Sequence, residues 1–179
     1  GWAIDVEDIR SKMHENVRFI VLINPNNPTG NVATASEILE ILDVAREWPG
    51  CTVIADEIYD GLDFSGSQKS IASLSDDTPV ITLNGVSKVH FAPGWRIGYM
   101  AFHDPTHVLD EARDGVERLL RSRLCASTPA QHGYLEALRG DRGWLDERLE
   151  SIRSRVDLCM GRIDSIEGLS CNRPGGAFY

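Results

Sequence analysis

Three short apolar runs, each ended by a cluster of polar residues, place the strongest restriction on the fold of this chain. The runs are Val17–Ile23, Cys51–Ala55 and Pro79–Leu83. Continuous apolar, β-branched runs of this length are typical of strands that are buried on both faces of a parallel sheet. Between the first two runs, over residues 34–47, apolar residues recur at three- and four-residue spacing, as in an amphipathic helix. The alternation predicts an α/β fold with a mainly parallel sheet.

A fourth apolar run and several helical patterns complete the predicted elements. The run Ile97–Phe102 follows the third strand too closely for a crossover helix, so we expect an antiparallel strand. Ser36 is predicted to cap the helix over residues 34–47. Gly168–Cys171 predicts a turn into a last strand. Further helices are predicted over residues 104–121, from Pro129 onward, and over residues 144–165.

Charge and cysteine spacing exclude several classes of protein. A net charge of -9 argues against a nucleic-acid binder and leaves no polybasic segment for a membrane surface. No apolar run reaches the length of about 18 residues that a membrane span needs, and no signal peptide opens the chain. The four cysteines form no CxxC pair, which argues against a zinc site and a disulfide framework. We therefore expect a cytoplasmic protein with no metal, nucleic-acid or membrane partner.

The polar clusters after the three strands hold the candidate functional residues. They are Asn24–Gly30, Asp56–Tyr59 and Ser87–Arg96. Open α/β sheets bind ligands at the carboxyl ends of their strands, so all three clusters are predicted to line one crevice. Each cluster taken alone also fits a simpler interpretation, namely a turn, a helix cap or a solvated lysine. Their combination in this order is what predicts a site.

The motifs resemble those of a known family. Asn-Pro-Asn-Asn-Pro-Thr-Gly, then Asp-Glu-Ile-Tyr, then Ser-Lys-x7-Arg-x-Gly-Tyr resembles the ordered motif set of class I/II aminotransferases, which have fold type I and depend on pyridoxal 5'-phosphate (PLP). Residues 174–179 are similar to a small-domain signature of that class. Residues 84–88 and 123–131 resemble the bacterial and archaeal alanine aminotransferase branch in particular. The resemblance extends from one end of the chain to the other.

This resemblance implies that the chain is a fragment of two domains. Residues 1–140 correspond to part of the PLP-binding large domain. Residues 141–179 correspond to the interdomain helix and the start of the small α+β domain. In the resembling enzymes the loop that cradles the cofactor phosphate and the aromatic that stacks on the pyridine ring lie before the segment that matches this chain. The arginine for the substrate α-carboxylate lies after it.

The resemblance also implies a role for each motif residue. Lys88 binds the cofactor aldehyde and, once substrate displaces it, acts as the base that moves the substrate proton. Asp56 keeps the pyridine nitrogen protonated. Asn27 and Tyr59 donate hydrogen bonds to the cofactor 3'-oxygen, which stabilises its anionic form. Arg96 holds the phosphate with its guanidinium.

Two further positions are open to more than one interpretation. Gly85 stands where many relatives have a serine that contacts the phosphate; Ser87 is a candidate replacement, and its other interpretation is a simple turn hydroxyl. Arg123 falls where aspartate aminotransferases have an arginine that binds the distal carboxylate of the substrate across the dimer interface. Its other interpretation is a cation near a helix end, where the helix dipole favours it.

The implied reaction is amino-group transfer between an L-amino acid, alanine first, and 2-oxoglutarate, by a ping-pong mechanism in a homodimer. An aspartate aminotransferase and a PLP-dependent lyase of the same fold are the alternatives among enzymes. The alternative from another class is the PLP-sensing domain of a transcriptional regulator. Because about half of the implied site lies outside these 179 residues, we expect them to have little or no activity alone.

Overall fold

A four-stranded sheet forms the centre of the chain, seen in a computed structural model that describes residues 2–179. The strands are β1 (Phe19–Ile23), β2 (Thr52–Asp56), β3 (Val80–Gly85) and β4 (Gly98–His103), in the spatial order β1-β2-β3-β4. β1, β2 and β3 are parallel, and β4 pairs with β3 in the antiparallel direction. The predicted α/β class and both strand directions are therefore confirmed.

Five α-helices and two short 3-10 turns accompany the sheet in the described residues. The 3-10 turns are Ile71–Leu74 and Pro93–Trp95. No helix within residues 2–179 is both long enough and apolar enough to cross a membrane. The α-helices are α1 (Val6–Lys12), α2 (Ala35–Arg46), α3 (Asp110–Ser122), α4 (Thr128–Arg139) and α5 (Gly143–Asp164).

Two predicted elements differ from the structure. α3 begins six residues later than predicted, because the Asp104 carboxylate accepts hydrogen bonds from the backbone N–H groups of Val108 and Leu109 and holds a turn there. The strand predicted after Gly168 is not formed in the described residues. Near the end of the chain, the backbone instead makes an isolated bridge between Asp63 and Gly176.

The main core lies between α2 and one face of the sheet. Ile38, Ile41 and Leu42 on α2 are buried together with Val53 of β2 and Val80 of β3. Full burial of one such side chain stabilises the fold by about 1.5–3 kcal/mol relative to an exposed one. Because this core joins the helix to the strands, it fixes the sheet from which the polar clusters emerge.

Within residues 2–179, β1 is buried on one face only, whereas the sequence predicted burial on both faces. It is the edge strand of this sheet and pairs only with β2 among the described strands. Phe19 and Val21 are 53% and 62% exposed, whereas Leu22 faces the core. An apolar run alone does not distinguish an edge strand from a central one, because both can carry the same residues.

The cap of α2 is Thr34, and the prediction of Ser36 was wrong. The Thr34 hydroxyl accepts from the Glu37 backbone N–H, and the Glu37 carboxylate accepts in return from the Thr34 N–H at 2.7 Å. This is a complete capping box. Ser36 lies inside the first turn, where its hydroxyl donates to Glu40.

We expect Thr34→Ala to lower the free energy of unfolding by about 1 kcal/mol, because it leaves a helix N–H without its side-chain acceptor. Urea denaturation of the full-length protein measures the change. Ser36→Ala is the matched control and should change the midpoint less. An equal loss in both variants would contradict the assignment of the cap to Thr34.

Candidate active site

The register of the parallel strands brings the three polar clusters to one edge of the sheet. Ile23 pairs with Asp56, and Asp56 pairs with Leu83. The Asn24 N–H donates to the Asp56 carbonyl at 3.0 Å, and the Glu57 N–H donates to the Leu83 carbonyl at 2.9 Å. The loops that follow β1, β2 and β3 therefore start side by side, as the sequence predicted.

Tyr59 is the buried centre of this region. Its side chain is 2% exposed, and its hydroxyl accepts a hydrogen bond from the Asn27 amide nitrogen at 3.3 Å. The Tyr59 and Tyr179 hydroxyl oxygens lie 2.6 Å apart. Burial, and then the hydrogen bond with Tyr179, raises the pKa of the Tyr59 phenol to about 12. The structure thus joins two predicted site residues and adds Tyr179, for which sequence reasoning gave no role.

Lys88 lies in the turn directly after β3, beside this cluster. Its Nζ is 5.8 Å from the centroid of the Tyr59 ring and 5.8 Å from that of the Phe178 ring. These distances are within the range of cation–π contacts. Phe178 is therefore a second residue of the region to which sequence reasoning gave no role, although residues 174–179 match a family motif.

Asp56 ends β2 and is oriented by the turn that follows it. Its carboxylate accepts a hydrogen bond from the Ile58 N–H at 3.1 Å, two residues further along the chain. A hydrogen bond from the backbone N–H two residues further along the chain holds an aspartate side chain at the start of a turn. Asp56 remains partly exposed at the carboxyl end of β2. This strand lies between β1, which leads to Asn27, and β3, which leads to Lys88.

The antiparallel hairpin of β3 and β4 brings the backbone of Arg96 back towards Ser87. Gly85 pairs with Gly98, and the Val86 N–H donates to the Ile97 carbonyl at 3.3 Å. Ser87 and Arg96 each lie two residues beyond this pair of glycines. Arg96 has a left-handed backbone conformation (φ 51°), and its Nη1 donates to the Pro93 carbonyl. Its guanidinium stays largely exposed.

The last residues of the chain are attached to the loops that carry Asn27 and Tyr59. The N–H groups of Gly175 and Gly176 both donate to the Gly30 carbonyl, at 2.8 and 2.9 Å. The Ala177 N–H donates to the Leu62 carbonyl at 2.7 Å, and the Phe64 N–H donates to the Gly175 carbonyl at 2.9 Å. These backbone bonds place Phe178 and Tyr179 next to Tyr59.

Comparison with known proteins identifies the family. The family model for aminotransferase class I and II matches residues 1–179. The chain belongs to this family. It is 39% identical over 184 residues to the glutamate-pyruvate aminotransferase of Escherichia coli, covering 99% of this chain and 44% of that protein.

Two solved aminotransferases have the same fold as this chain. An alanine aminotransferase from Pyrococcus furiosus superposes with a TM-score of 0.94 at 44% identity, over 98% of this chain and 44% of that one. An aspartate aminotransferase from Thermus thermophilus with maleate gives a TM-score of 0.84 at 30% identity, over 98% and 44%. The chain therefore spans less than half the length of these relatives.

Gly85, the position at which many relatives have a serine, packs closely against β4. A methyl group added at Gly85 would lie 2.9 Å from the Ile97 carbonyl oxygen and 3.2 Å from the Gly98 Cα. Such an approach requires β3 or β4 to shift. Glycine at this position allows the two strands to pack closely, and a hydroxyl for a phosphate would have to come from elsewhere, as predicted for Ser87.

Arg123 lies apart from the other predicted site residues. It is exposed at the C-terminal cap of α3, and no contact observed within residues 2–179 joins it to Lys88 or Tyr59. Its neighbours Leu120, Leu124 and Cys125 line a cleft of about 450 Å³, and Ile97 and Gly98 line the same cleft. The cleft thus connects the segment around Arg123 with the residues that follow Arg96.

Glu57, the residue between Asp56 and the turn, has a structural role. It is 4% exposed, and its carboxylate accepts hydrogen bonds from the Ile71 N–H at 2.7 Å and the Ser70 hydroxyl at 3.1 Å. Burial raises the pKa of Glu57, and these hydrogen bonds offset only part of the rise. The side chain therefore holds the 3-10 turn at residues 71–74 against β2.

We expect Glu57→Ala to lower the free energy of unfolding by about 1–3 kcal/mol, because the buried Ile71 N–H loses its acceptor. Glu57→Gln keeps an acceptor and removes the charge. The wild-type Glu57 binds its proton more tightly when folded, so its contribution to stability is complete below its ordinary pKa of 4.5 and is lost as pH rises through the folded pKa.

Chemical denaturation of the three proteins across pH measures this difference. Glu57→Gln should gain stability relative to wild type as pH rises above 4.5. It should also bind cofactor as wild type does. If Glu57→Gln lost stability as severely as Glu57→Ala at neutral pH, the structural assignment would be wrong.

Proposed function

We propose that this chain is part of a PLP-dependent aminotransferase that moves an amino group between an L-amino acid and 2-oxoglutarate by a ping-pong mechanism. The observation that carries the proposal is the position of the Lys88 amine beside Tyr59, whose hydroxyl already accepts from Asn27. Alanine is the proposed amino acid. It is supported by the higher identity to enzymes named for alanine and pyruvate than to the aspartate enzyme.

The side chains at the site fit the functional groups of PLP. The Lys88 amine suits an aldehyde, and the Asp56 carboxylate suits a protonated pyridine nitrogen. The N–H of Asn27 and the O–H of Tyr59 suit an anionic phenolic oxygen, because both can donate hydrogen bonds. The Arg96 guanidinium suits a phosphate, and the Ser87 hydroxyl is a second candidate donor to it.

Each of these residues then has a defined task. When bound, PLP supplies an electron sink for the charge that develops at the substrate Cα. Lys88 Nζ would move the proton between the substrate Cα and the cofactor carbon. The Asp56 carboxylate holds a proton on the pyridine nitrogen, while Asn27 and Tyr59 hold the 3'-oxygen anionic. Groups that stabilise charge in the transition state increase the rate rather than the affinity for substrate.

The remaining features of the whole protein are also proposals. Residues 1–140 would form part of the PLP-binding large domain, and residues 141–179 the interdomain helix and the start of the small domain. Segments beyond this chain would supply the phosphate cradle, the stacking aromatic and the α-carboxylate arginine. We propose a cytoplasmic homodimer in which the two subunits share each site.

Borohydride reduction of the PLP-saturated full-length protein, followed by peptide mass mapping, tests the central residue. We expect a phosphopyridoxyl adduct on Lys88, no adduct in Lys88→Arg, and an unchanged adduct in the control Lys69→Arg.

Alanine should be converted to pyruvate by the full-length protein and hardly at all by the isolated 179 residues. Unmodified Lys88 in folded protein would contradict the assignment and favour the regulator domain, and other products from alanine would favour a lyase.

Arg123 is proposed to bind the distal carboxylate of 2-oxoglutarate. Loss of a charge-assisted hydrogen bond in Arg123→Gln should raise the KM for 2-oxoglutarate roughly 10- to 100-fold and leave the KM for alanine nearly unchanged. The matched control is Arg121→Gln, since Arg121 pairs with Glu117 on the same helix. Equal effects of the two variants, or of Arg123→Gln on both substrates, would instead support a role as a cation at the helix end.

A further inference from the structure

Two polar groups, the Asn27 amide and the Tyr179 hydroxyl, contact the Tyr59 hydroxyl, whose capacity to donate and accept hydrogen bonds is limited. The Asn27 Nδ2 can only donate, so the Tyr59 oxygen accepts at 3.3 Å. A phenol has one proton to donate and can accept at two positions. One accepting position of Tyr59 is therefore used by Asn27, which leaves one proton and one accepting position to be matched by Tyr179 and any third group.

The Tyr59–Tyr179 contact can be made with either hydroxyl as donor. Without a third group, Tyr179 is the one acceptor that the described residues offer to the Tyr59 proton, at 2.6 Å. Besides burial, this contact raises the pKa of Tyr59, as expected if Tyr59 is the donor. If an anionic oxygen occupies the site, that oxygen takes the Tyr59 proton, because charged acceptors make the stronger hydrogen bonds. The free accepting position of Tyr59 is then filled when Tyr179 donates.

Backbone hydrogen bonds of residues 175–177 bring the Tyr179 ring to Tyr59, which it contacts edge-on with 5.7 Å between the ring centroids. The bonds from Gly175 and Gly176 to Gly30, and from Ala177 to Leu62, fix the segment against both loops of the cluster. A methyl group at Gly176 would lie 2.6 Å from the Leu62 carbonyl oxygen, so this approach requires glycine. Tyr179 is thus placed before any ligand arrives.

We propose that Tyr179 is a positioning residue for Tyr59: by donating its phenol proton to the Tyr59 oxygen, it commits the Tyr59 proton to the cofactor 3'-oxygen. This inference rests on the proposed function, since it requires that oxygen. The direction of the Tyr59–Tyr179 hydrogen bond reverses when the cofactor binds. Donation into Tyr59 also strengthens the bond that Tyr59 gives, because linked hydrogen bonds polarise one another.

The reversal predicts two shifts of opposite sign in Tyr179→Phe of the full-length protein. In the cofactor-free protein Tyr59 loses an acceptor, so its phenol pKa falls from about 12, as read from phenolate absorbance. In the PLP-loaded protein Tyr59 becomes a weaker donor and the anionic 3'-oxygen is less stabilised. The pH at which the absorbance band of the bound cofactor changes should then rise by roughly 0.5–1 pH unit.

Two further variants isolate the path through Tyr59. In a Tyr59→Phe background, Tyr179→Phe should add nothing to the shift of the cofactor band. Tyr134→Phe removes another buried tyrosine hydroxyl, one that packs against His90, and should leave the cofactor band unchanged. A purely structural role for Tyr179 would move neither titration, or would move the band equally in both backgrounds.

The outcomes separate this inference from the proposed function. Opposite shifts that vanish without Tyr59 support the positioning role. A cofactor band that is present but unmoved in Tyr179→Phe overturns the positioning role and leaves the aminotransferase proposal intact. A wild-type protein that shows no cofactor band after PLP saturation overturns both.

Discussion

Parallel pairing of β1, β2 and β3 is the constraint on which the rest of the structure depends. Pairing of Ile23 with Asp56 and of Asp56 with Leu83 aligns the carboxyl ends of all three strands. The apolar faces of the strands pack on α2, and this burial fixes the sheet without involving any polar residue of the site. The polar loops can therefore be specialised for chemistry while the core below them supplies the stability.

Because β4 is antiparallel to β3, it begins at the end of the sheet from which the site loops leave. A crossover helix would have carried the chain to the opposite end of the sheet before the next strand began. The direct hairpin returns Arg96 to the edge from which Ser87 and Lys88 leave. Gly85 pairs with Gly98, and a Cβ added at either position would meet the backbone of the facing strand. The Lys88 amine and the Arg96 guanidinium thus belong to the same loop, which joins β3 to β4.

Sequence reasoning predicted the fold class, the strand directions and the convergence of the three clusters, because apolar runs and short connections determine these features directly. It misplaced the cap of α2 by two residues, since Thr34 and Ser36 are both good caps and only the helix start distinguishes them. The strand expected after Gly168 is not formed within residues 2–179, because a strand needs a partner. In the described residues this segment makes a single isolated bridge, between Gly176 and Asp63.

The contact of Tyr179 with Tyr59 lay outside what local patterns can indicate. The two residues are 120 positions apart, and backbone bonds, which leave no side-chain signature, bring them together. In the sequence, this segment was noted only because residues 174–179 resemble a family motif, and that resemblance gave Tyr179 no role. Residues 175–177 bind the loops of both Asn27 and Tyr59, so the segment that ends in Tyr179 links these two loops. The position of the Tyr179 hydroxyl beside Tyr59 therefore depends on backbone hydrogen bonds made far along the chain from either loop.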